Sequence, residues 1–167
     1  MRKLGVALLV AVLVVALGAS AAVGAAFDTD FASDLSGGQE VPPVATEATG
    51  AAQFDVIDLG EGRREIKFRL GVFDIDNVTA SHIHLGCPGE NGPVVAFLFE
   101  GGPTGEVNGR LNQGTIRRHN LVGPLQGKSI GRLVREMESG CTYVNVHTTE
   151  WPGGEIRGEI FGTSPHP

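Results

Sequence analysis

Positive charge is scarce in this sequence. The chain has 13 lysine and arginine residues against 19 aspartate and glutamate residues, which gives a formal net charge of −6. No basic stripe interrupts this acidity, and an acidic surface repels the phosphate backbone of a nucleic acid. We therefore expect no nucleic-acid partner.

Long hydrophobic runs are also scarce. The one such run, Leu4 to Leu17, has 14 residues, whereas a membrane-spanning helix needs about 20. Arg2 and Lys3 precede the run and small residues follow it, which is typical of a secretory signal peptide. We predict a signal peptide over residues 1–25, with an uncleaved membrane anchor as the alternative. The remaining chain has no second apolar run, so we expect a secreted or periplasmic protein without a membrane span.

Cysteine is rare as well, with two residues in the chain, Cys87 and Cys141. In an exported protein the simplest interpretation is one disulfide bond. It would close a loop of roughly 55 residues, which the chain-entropy model values at about 4 kcal/mol. Two free thiols and two soft metal ligands are the alternatives.

Glycine and proline are abundant, with 25 and 9 residues spread between short apolar runs. This punctuation is typical of short strands joined by turns. Alternating apolar positions predict a hairpin from residues 51–59 and 65–73. One helix is predicted over residues 129–139, where Ile130, Leu133, Val134 and Met137 form a single apolar stripe. Together these features predict an all-β, antiparallel Greek-key β-sandwich of about eight strands with one short helix.

Two histidines, His82 and His84, flank one isoleucine in a predicted strand. Side chains two apart on a strand share a face and lie about 7 Å apart. In a later predicted strand, Tyr143, Asn145 and His147 also share a face. If the cysteine pair draws the two strands together, three imidazoles converge, a set that suits copper or zinc.

A purely structural hydrogen-bonding role for these three histidines is the alternative. The two other histidines, His119 and His166, are interpreted as a surface residue and as part of a disordered tail over residues 163–167. The sequence also lacks a G-x-S-x-G motif, a catalytic Cys–His pairing, a phosphate-binding loop and a paired-carboxylate signature. We therefore predict no catalytic residues.

Three segments resemble the CHRD (chordin) domain family and occur in the family's order. They are LSGGQEVPPVATEATGAAQFDV, ASHIHLGCPGENGPVVAFLF and GCTYVNVHTTEWPGGEIRGEI. The resemblance places one domain at residues 26–162. It implies an extracytoplasmic binding module, since chordin is an extracellular protein that binds growth factors. We therefore expect an unknown extracytoplasmic protein or a metal ion as the partner. Glu40 and Arg157 both lie in these segments, and we expect them to form an ion pair; two exposed charges are the alternative.

A second, partial resemblance is to copper/zinc superoxide dismutase. The histidine pair followed much later by a Val-His strand is similar to that family, and so is the closing run GGEIRGEI. This resemblance implies a metal-dependent redox enzyme with Arg157 near the metal. The match lacks a bridging histidine and a zinc-ligand loop. The alternatives to a metal-holding module are therefore this redox enzyme and a protein-binding or matrix module with structural histidines.

Overall fold

A computed structural model describes residues 29–163 of the chain. The elements are β1 (Phe31–Ser36), β2 (Thr49–Asp58), β3 (Arg64–Asp76), β4 (Val78–Leu85), β5 (Val94–Glu100), β6 (Glu106–Ile116), α1 (Ile130–Glu138), β7 (Thr142–Thr148), β8 (Ile156–Glu159) and β9 (Phe161–Gly162). Short 3-10 helices lie at Gly37–Gln39, Arg118–Asn120 and Gly123–Leu125.

The strands form one antiparallel sheet in the order β5-β4-β7-β8-β1-β2-β3-β6, and β9 pairs with β1. The two ends of this order approach each other, because the Asn112 side chain on β6 donates a hydrogen bond to the Leu98 carbonyl on β5 at 2.6 Å. The sheet is therefore nearly closed into a barrel. The predicted all-β antiparallel fold with one helix is confirmed, and its two packed layers belong to a single curved sheet.

The predicted hairpin corresponds to β2 and β3, which pair without interruption from Thr49 opposite Phe73 to Asp58 opposite Arg64. From Ile66 to Val72, every second side chain of β3 faces the core, as the apolar alternation of this segment requires. These inward residues are Ile66, Phe68, Leu70 and Val72.

The helix α1 covers the core with the predicted apolar stripe. Its four apolar residues, Ile130, Leu133, Val134 and Met137, are all buried. Ser129 occupies the N-cap position, although its side chain makes no capping hydrogen bond. Gly140, just beyond the helix, has a φ of +72°, a conformation in which glycine carries no steric penalty.

The predicted signal peptide, residues 1–25, lies outside the described residues, as do residues 164–167 with His166. At Thr163, the first residue of the predicted disordered tail, the N–H donates a hydrogen bond to the Asp30 carbonyl at 3.0 Å. Between residues 29 and 163, no helix is long and apolar enough to cross a membrane.

Candidate metal centre

The three histidines of interest lie on β4 and β7, which are neighbours in the sheet. The register places His82 opposite Asn145 and His84 opposite Tyr143, while His147 is opposite Ala80. Directly paired residues of antiparallel strands project from the same face. The intervening residues, Ile83, Val144 and Val146, are fully buried in the hydrophobic core. The histidines therefore lie on the face of β4 and β7 that points away from the hydrophobic core.

The disulfide bond ties these two strands together next to the histidines. Cys87 and Cys141 are joined by a 2.05 Å S–S bond, two residues after the end of β4 and one before the start of β7. The Gly86 N–H also donates to the Cys141 carbonyl at 2.9 Å. The predicted disulfide is present in the structure, so neither cysteine is a thiol or a metal ligand.

The structure brings the three predicted histidines into one cluster. One ring nitrogen from each of His82, His84 and His147 lies within 4.8 Å of the other two, and all three side chains are half-buried. His82 Nδ1 is 3.1 Å from His147 Nε2. Within residues 29–163, this is the one group of three or more histidine, cysteine or acidic side chains with such spacing.

Backbone carbonyls determine which nitrogens of the cluster carry lone pairs. His84 Nδ1 is 2.8 Å from the Gly92 carbonyl oxygen, and His147 Nδ1 is 2.9 Å from the Pro152 carbonyl oxygen. Because a carbonyl only accepts, each Nδ1 must carry the proton, and the Nε2 of the neutral ring keeps a lone pair. His84 Nε2 is buried and has no hydrogen-bond partner among the described residues.

Burial keeps these imidazoles neutral. It lowers the pKa of His82 from 6.5 to about 4, and the charged forms of His147 and His84 would lower it further. Burial also lowers the pKa of His84 and of His147, against the opposing effect of their carbonyl partners. Neutral imidazole is the form that binds a metal, and burial keeps the rings neutral at neutral pH. Because His147 Nε2 accepts, His82 Nδ1 carries the proton between them, and this proton must move to His82 Nε2 before His82 Nδ1 can bind a metal.

Aromatic rings hold two of the histidines in place. The ring of Tyr143 stacks on His84 with a centroid distance of 4.7 Å and an interplanar angle of 10°. Phe97 meets His82 edge-on at 4.9 Å, and 39% of Phe97 remains exposed. The Tyr143 hydroxyl also accepts the Gly92 N–H at 3.1 Å. The loop that supplies the carbonyl for His84 is therefore fastened to β7.

Arg157 lies behind this aromatic layer. It is fully buried, its guanidinium carbon lies 3.4 Å from the Tyr143 ring centroid, and it forms an ion pair with Glu159 at 2.8 Å. A guanidinium that close and a stacked imidazole cannot occupy the same ring face. Tyr143 therefore lies between Arg157 and His84, and besides burial the charge of Arg157 contributes to the lowered pKa of His84.

The expected ion pair between Glu40 and Arg157 does not form in the described part of the chain. Glu40 Oε1 instead accepts a hydrogen bond from the Asn145 side-chain amide at 2.6 Å. Glu40 is 6% exposed, and burial raises its pKa to about 7, while the charge of Arg157 acts in the opposite direction. Both residues are thus buried in one polar layer beside β7, but with different partners.

Sequence reasoning missed the groups that orient the histidines. The carbonyls of Gly92 and Pro152 carry no residue-specific signal, since every residue has one. Gly92 does have a steric reason to be glycine, because a Cβ atom there would lie 1.8 Å from the Leu85 carbonyl oxygen. Tyr143 was placed on the correct face but not recognised as a stacking partner.

Comparison with known proteins identifies one family. The family model described as CHRD domain matches residues 31–160, which include all of β1 to β8, the three histidines and both cysteines. No curated protein matches the chain. Because the match covers well over half of the sequence in a single stretch, this chain belongs to the CHRD-domain family.

Proposed function

We propose that this CHRD-domain protein is an extracytoplasmic binding module that holds one copper or zinc ion with His82, His84 and His147. The extracytoplasmic location is supported by the family, by the disulfide bond and by the sequence pattern of a signal peptide. The metal is supported by the geometry of the cluster.

The observation that carries the proposal is the convergence of oriented, neutral imidazoles. Zinc–nitrogen bonds of about 2.0–2.1 Å place tetrahedral ligand atoms about 3.3 Å apart. His82 and His147 already have ring nitrogens 3.1 Å apart, and the whole set lies within 4.8 Å. Side-chain shifts of about 1–2 Å would bring all three to bonding distance. Nδ1–H bonds to carbonyls are the outer contacts that metal-binding histidines commonly make.

The buried lone pair of His84 Nε2 argues against histidines that are purely structural. A buried polar atom without a partner costs about 1–3 kcal/mol, and a structural network would be expected to satisfy it. A bound ion would use this lone pair. Three imidazoles would also leave a fourth coordination position for water or for a ligand atom from a partner.

We propose binding rather than redox catalysis. The dismutase alternative placed Arg157 near the metal, whereas the guanidinium of Arg157 packs on Tyr143 and is bonded to Glu159 and to the loop between β4 and β5. No observation specifically favours the redox alternative or a matrix module.

The test is a calorimetric titration of the metal-free protein with Cu²⁺ and with Zn²⁺, in the wild type and in His84→Ala. We expect one ion per chain and an affinity at least about a hundredfold lower in the variant, since it loses a ligand rather than an outer contact worth 10–100-fold. His119→Ala is the matched control, because it removes a histidine outside the cluster. Equal affinity in the wild type and in both His84→Ala and His147→Ala would reject the metal site.

A further inference from the structure

A cavity of about 600 Å³ lies away from the histidine cluster. It is lined by the turn between β2 and β3, by residues 117–119 after β6, and by the start of α1. None of these residues belongs to β4 or β7. The volume lies within the range of about 300–1,000 Å³ that is usual for small-molecule sites.

Positive charge is concentrated at this cavity. Arg63, Arg64, Arg117 and Arg118 line it, together with a single carboxylate, Glu65. The chain has 13 lysine and arginine residues in all and a net charge of −6, so nearly a third of its basic residues meet at one concave site. Like charges repel one another when they are gathered in this way, and a bound anion relieves the repulsion.

The neighbouring acidic residues compensate this charge only weakly. Arg63 is 3.7 Å from Glu61 and Arg64 is 3.8 Å from Asp58, and all four side chains are exposed. Exposed ion pairs at such distances contribute between about 0 and 1 kcal/mol. An anionic ligand can therefore replace these contacts at little cost.

Two of the arginines, Arg117 and Arg118, are anchored by contacts that use only some of the N–H donors of each guanidinium. Arg117 Nε lies 3.1 Å from Glu65, and Arg118 donates Nε and Nη2 to the Gly127 carbonyl. A guanidinium has five N–H donors in a rigid fork, so donors remain beyond these contacts. Anchoring of this kind reduces the entropy that is lost when a ligand binds.

The start of α1 also favours an anionic ligand in this cavity. Ser129 and Ile130 line the cavity, and the N-cap side chain makes no hydrogen bond to the first turn. The N–H groups of the first turn and the positive end of the helix dipole favour an anion here. Leu59, which is 47% exposed, gives the cavity an apolar side.

From the arginines and the cavity together, we propose that this site binds a small polyanion with two or more carboxylate or phosphate groups. Both groups match the arginine fork with paired hydrogen bonds. The proposal is independent of the metal site and shares no residue with it.

The test is a calorimetric titration of the metal-free full chain with citrate and, separately, with inorganic pyrophosphate. We expect saturable binding of at least one probe at one site per chain, and the tighter probe identifies carboxylate or phosphate as the preferred group. Added sodium chloride should weaken the binding. Absence of saturation with both probes at millimolar concentration would overturn the proposal.

Matched substitutions locate the site. Arg63→Gln and Arg118→Gln should each lower the affinity at least about tenfold, the loss expected for one charge-assisted hydrogen bond. Arg110→Gln removes the same charge outside the cavity and should leave the affinity within about twofold, a margin of under 0.5 kcal/mol. Equal losses in all three variants would indicate attraction to the surface as a whole and contradict the site. His84→Ala should bind both probes like the wild type, so failure of the metal proposal is distinguishable from failure of this one.

Discussion

Each histidine of the cluster is placed by a backbone carbonyl, a neighbouring ring or both, and its burial favours the neutral form. The consequence is a link between proton binding and folding. A group whose pKa is lower in the folded than in the unfolded chain stabilises the fold only above its unfolded pKa. As the pH falls below about 6.5, His82 becomes protonated in the unfolded chain. In the folded chain it stays neutral until the pH approaches 4.

The first prediction concerns His82 in the metal-free protein. The free energy of unfolding of the wild type, relative to His82→Gln, should fall by on the order of 2 kcal/mol between pH 7 and pH 4. Urea unfolding at a series of pH values measures this difference. His119→Gln, in which an exposed histidine outside the cluster is replaced, is measured as the control. A difference that stays constant with pH would show that His82 is not held neutral.

Glu40 has the opposite linkage, because burial raises its pKa to about 7. The stability associated with its protonated form is fully present below its unfolded pKa, near 4.3, and is lost as the pH rises through 7. Glu40→Gln removes the charge and keeps an oxygen to accept the bond from Asn145. The free energy of unfolding of the variant, relative to that of the wild type, should therefore rise by on the order of 2 kcal/mol between pH 5 and pH 8. Glu47→Gln, which replaces an exposed glutamate in the same segment, is the control in the same unfolding series.

At the scale of elements, the site depends on β4, β7 and the loop between β4 and β5. That loop runs from Gly86 to Pro93 and approaches the strand so closely that residue 92 has no room for a side chain. It is bonded to the rest of the molecule by the Gly92 N–H to Tyr143 and by the Gly92 carbonyl to His84. Any displacement of the loop therefore changes the orientation of the His84 ring.

We predict that Gly92→Ala weakens both the fold and the cluster. The new Cβ would lie 1.8 Å from the Leu85 carbonyl oxygen, and overpacking of this kind costs about 1–3 kcal/mol. Zinc affinity should fall about 10–100-fold, as expected when an outer contact of a ligand is lost. Gly102→Ala is the matched control, since a Cβ there meets no atom within 4 Å. Unchanged unfolding and zinc affinity in Gly92→Ala would mean that the loop does not orient His84.

At the scale of the whole molecule, a ligand that binds only the folded chain stabilises it by mass action. The histidines come from two strands, β4 and β7, that are separated in sequence by residues 86–141, so the unfolded chain has no preformed three-histidine site. At a free zinc concentration of 100 times the Kd, the free energy of unfolding should rise by about 2.7 kcal/mol. Denaturant unfolding with and without zinc tests this expectation. In His84→Ala the increase should largely disappear, whereas an equal increase there would place the bound zinc elsewhere.

The sequence by itself determined the features that depend on local periodicity and on compartment. Strand alternation decided that His82 and His84 share a face, and the helical spacing of Ile130, Leu133, Val134 and Met137 predicted α1 to within one residue at each end. The two cysteines and the signal-peptide pattern predicted the disulfide. The disulfide in turn predicted that the strand carrying His147 lies close to β4. The family followed from three segments whose order survives in the full match.

Only the tertiary structure decided which distant groups complete each contact. Arg157 forms an ion pair with Glu159 and packs on the Tyr143 ring. Glu40 lies on a separate loop and accepts a hydrogen bond from Asn145. The four arginines of the polyanion cavity come from two separate segments whose meeting no local pattern encodes. The carbonyls of Gly92 and Pro152 are chemically like any others in the chain. Their roles arise from loop paths, and a loop path depends on packing between residues far apart in sequence, whereas the direction of a strand side chain depends only on its neighbours.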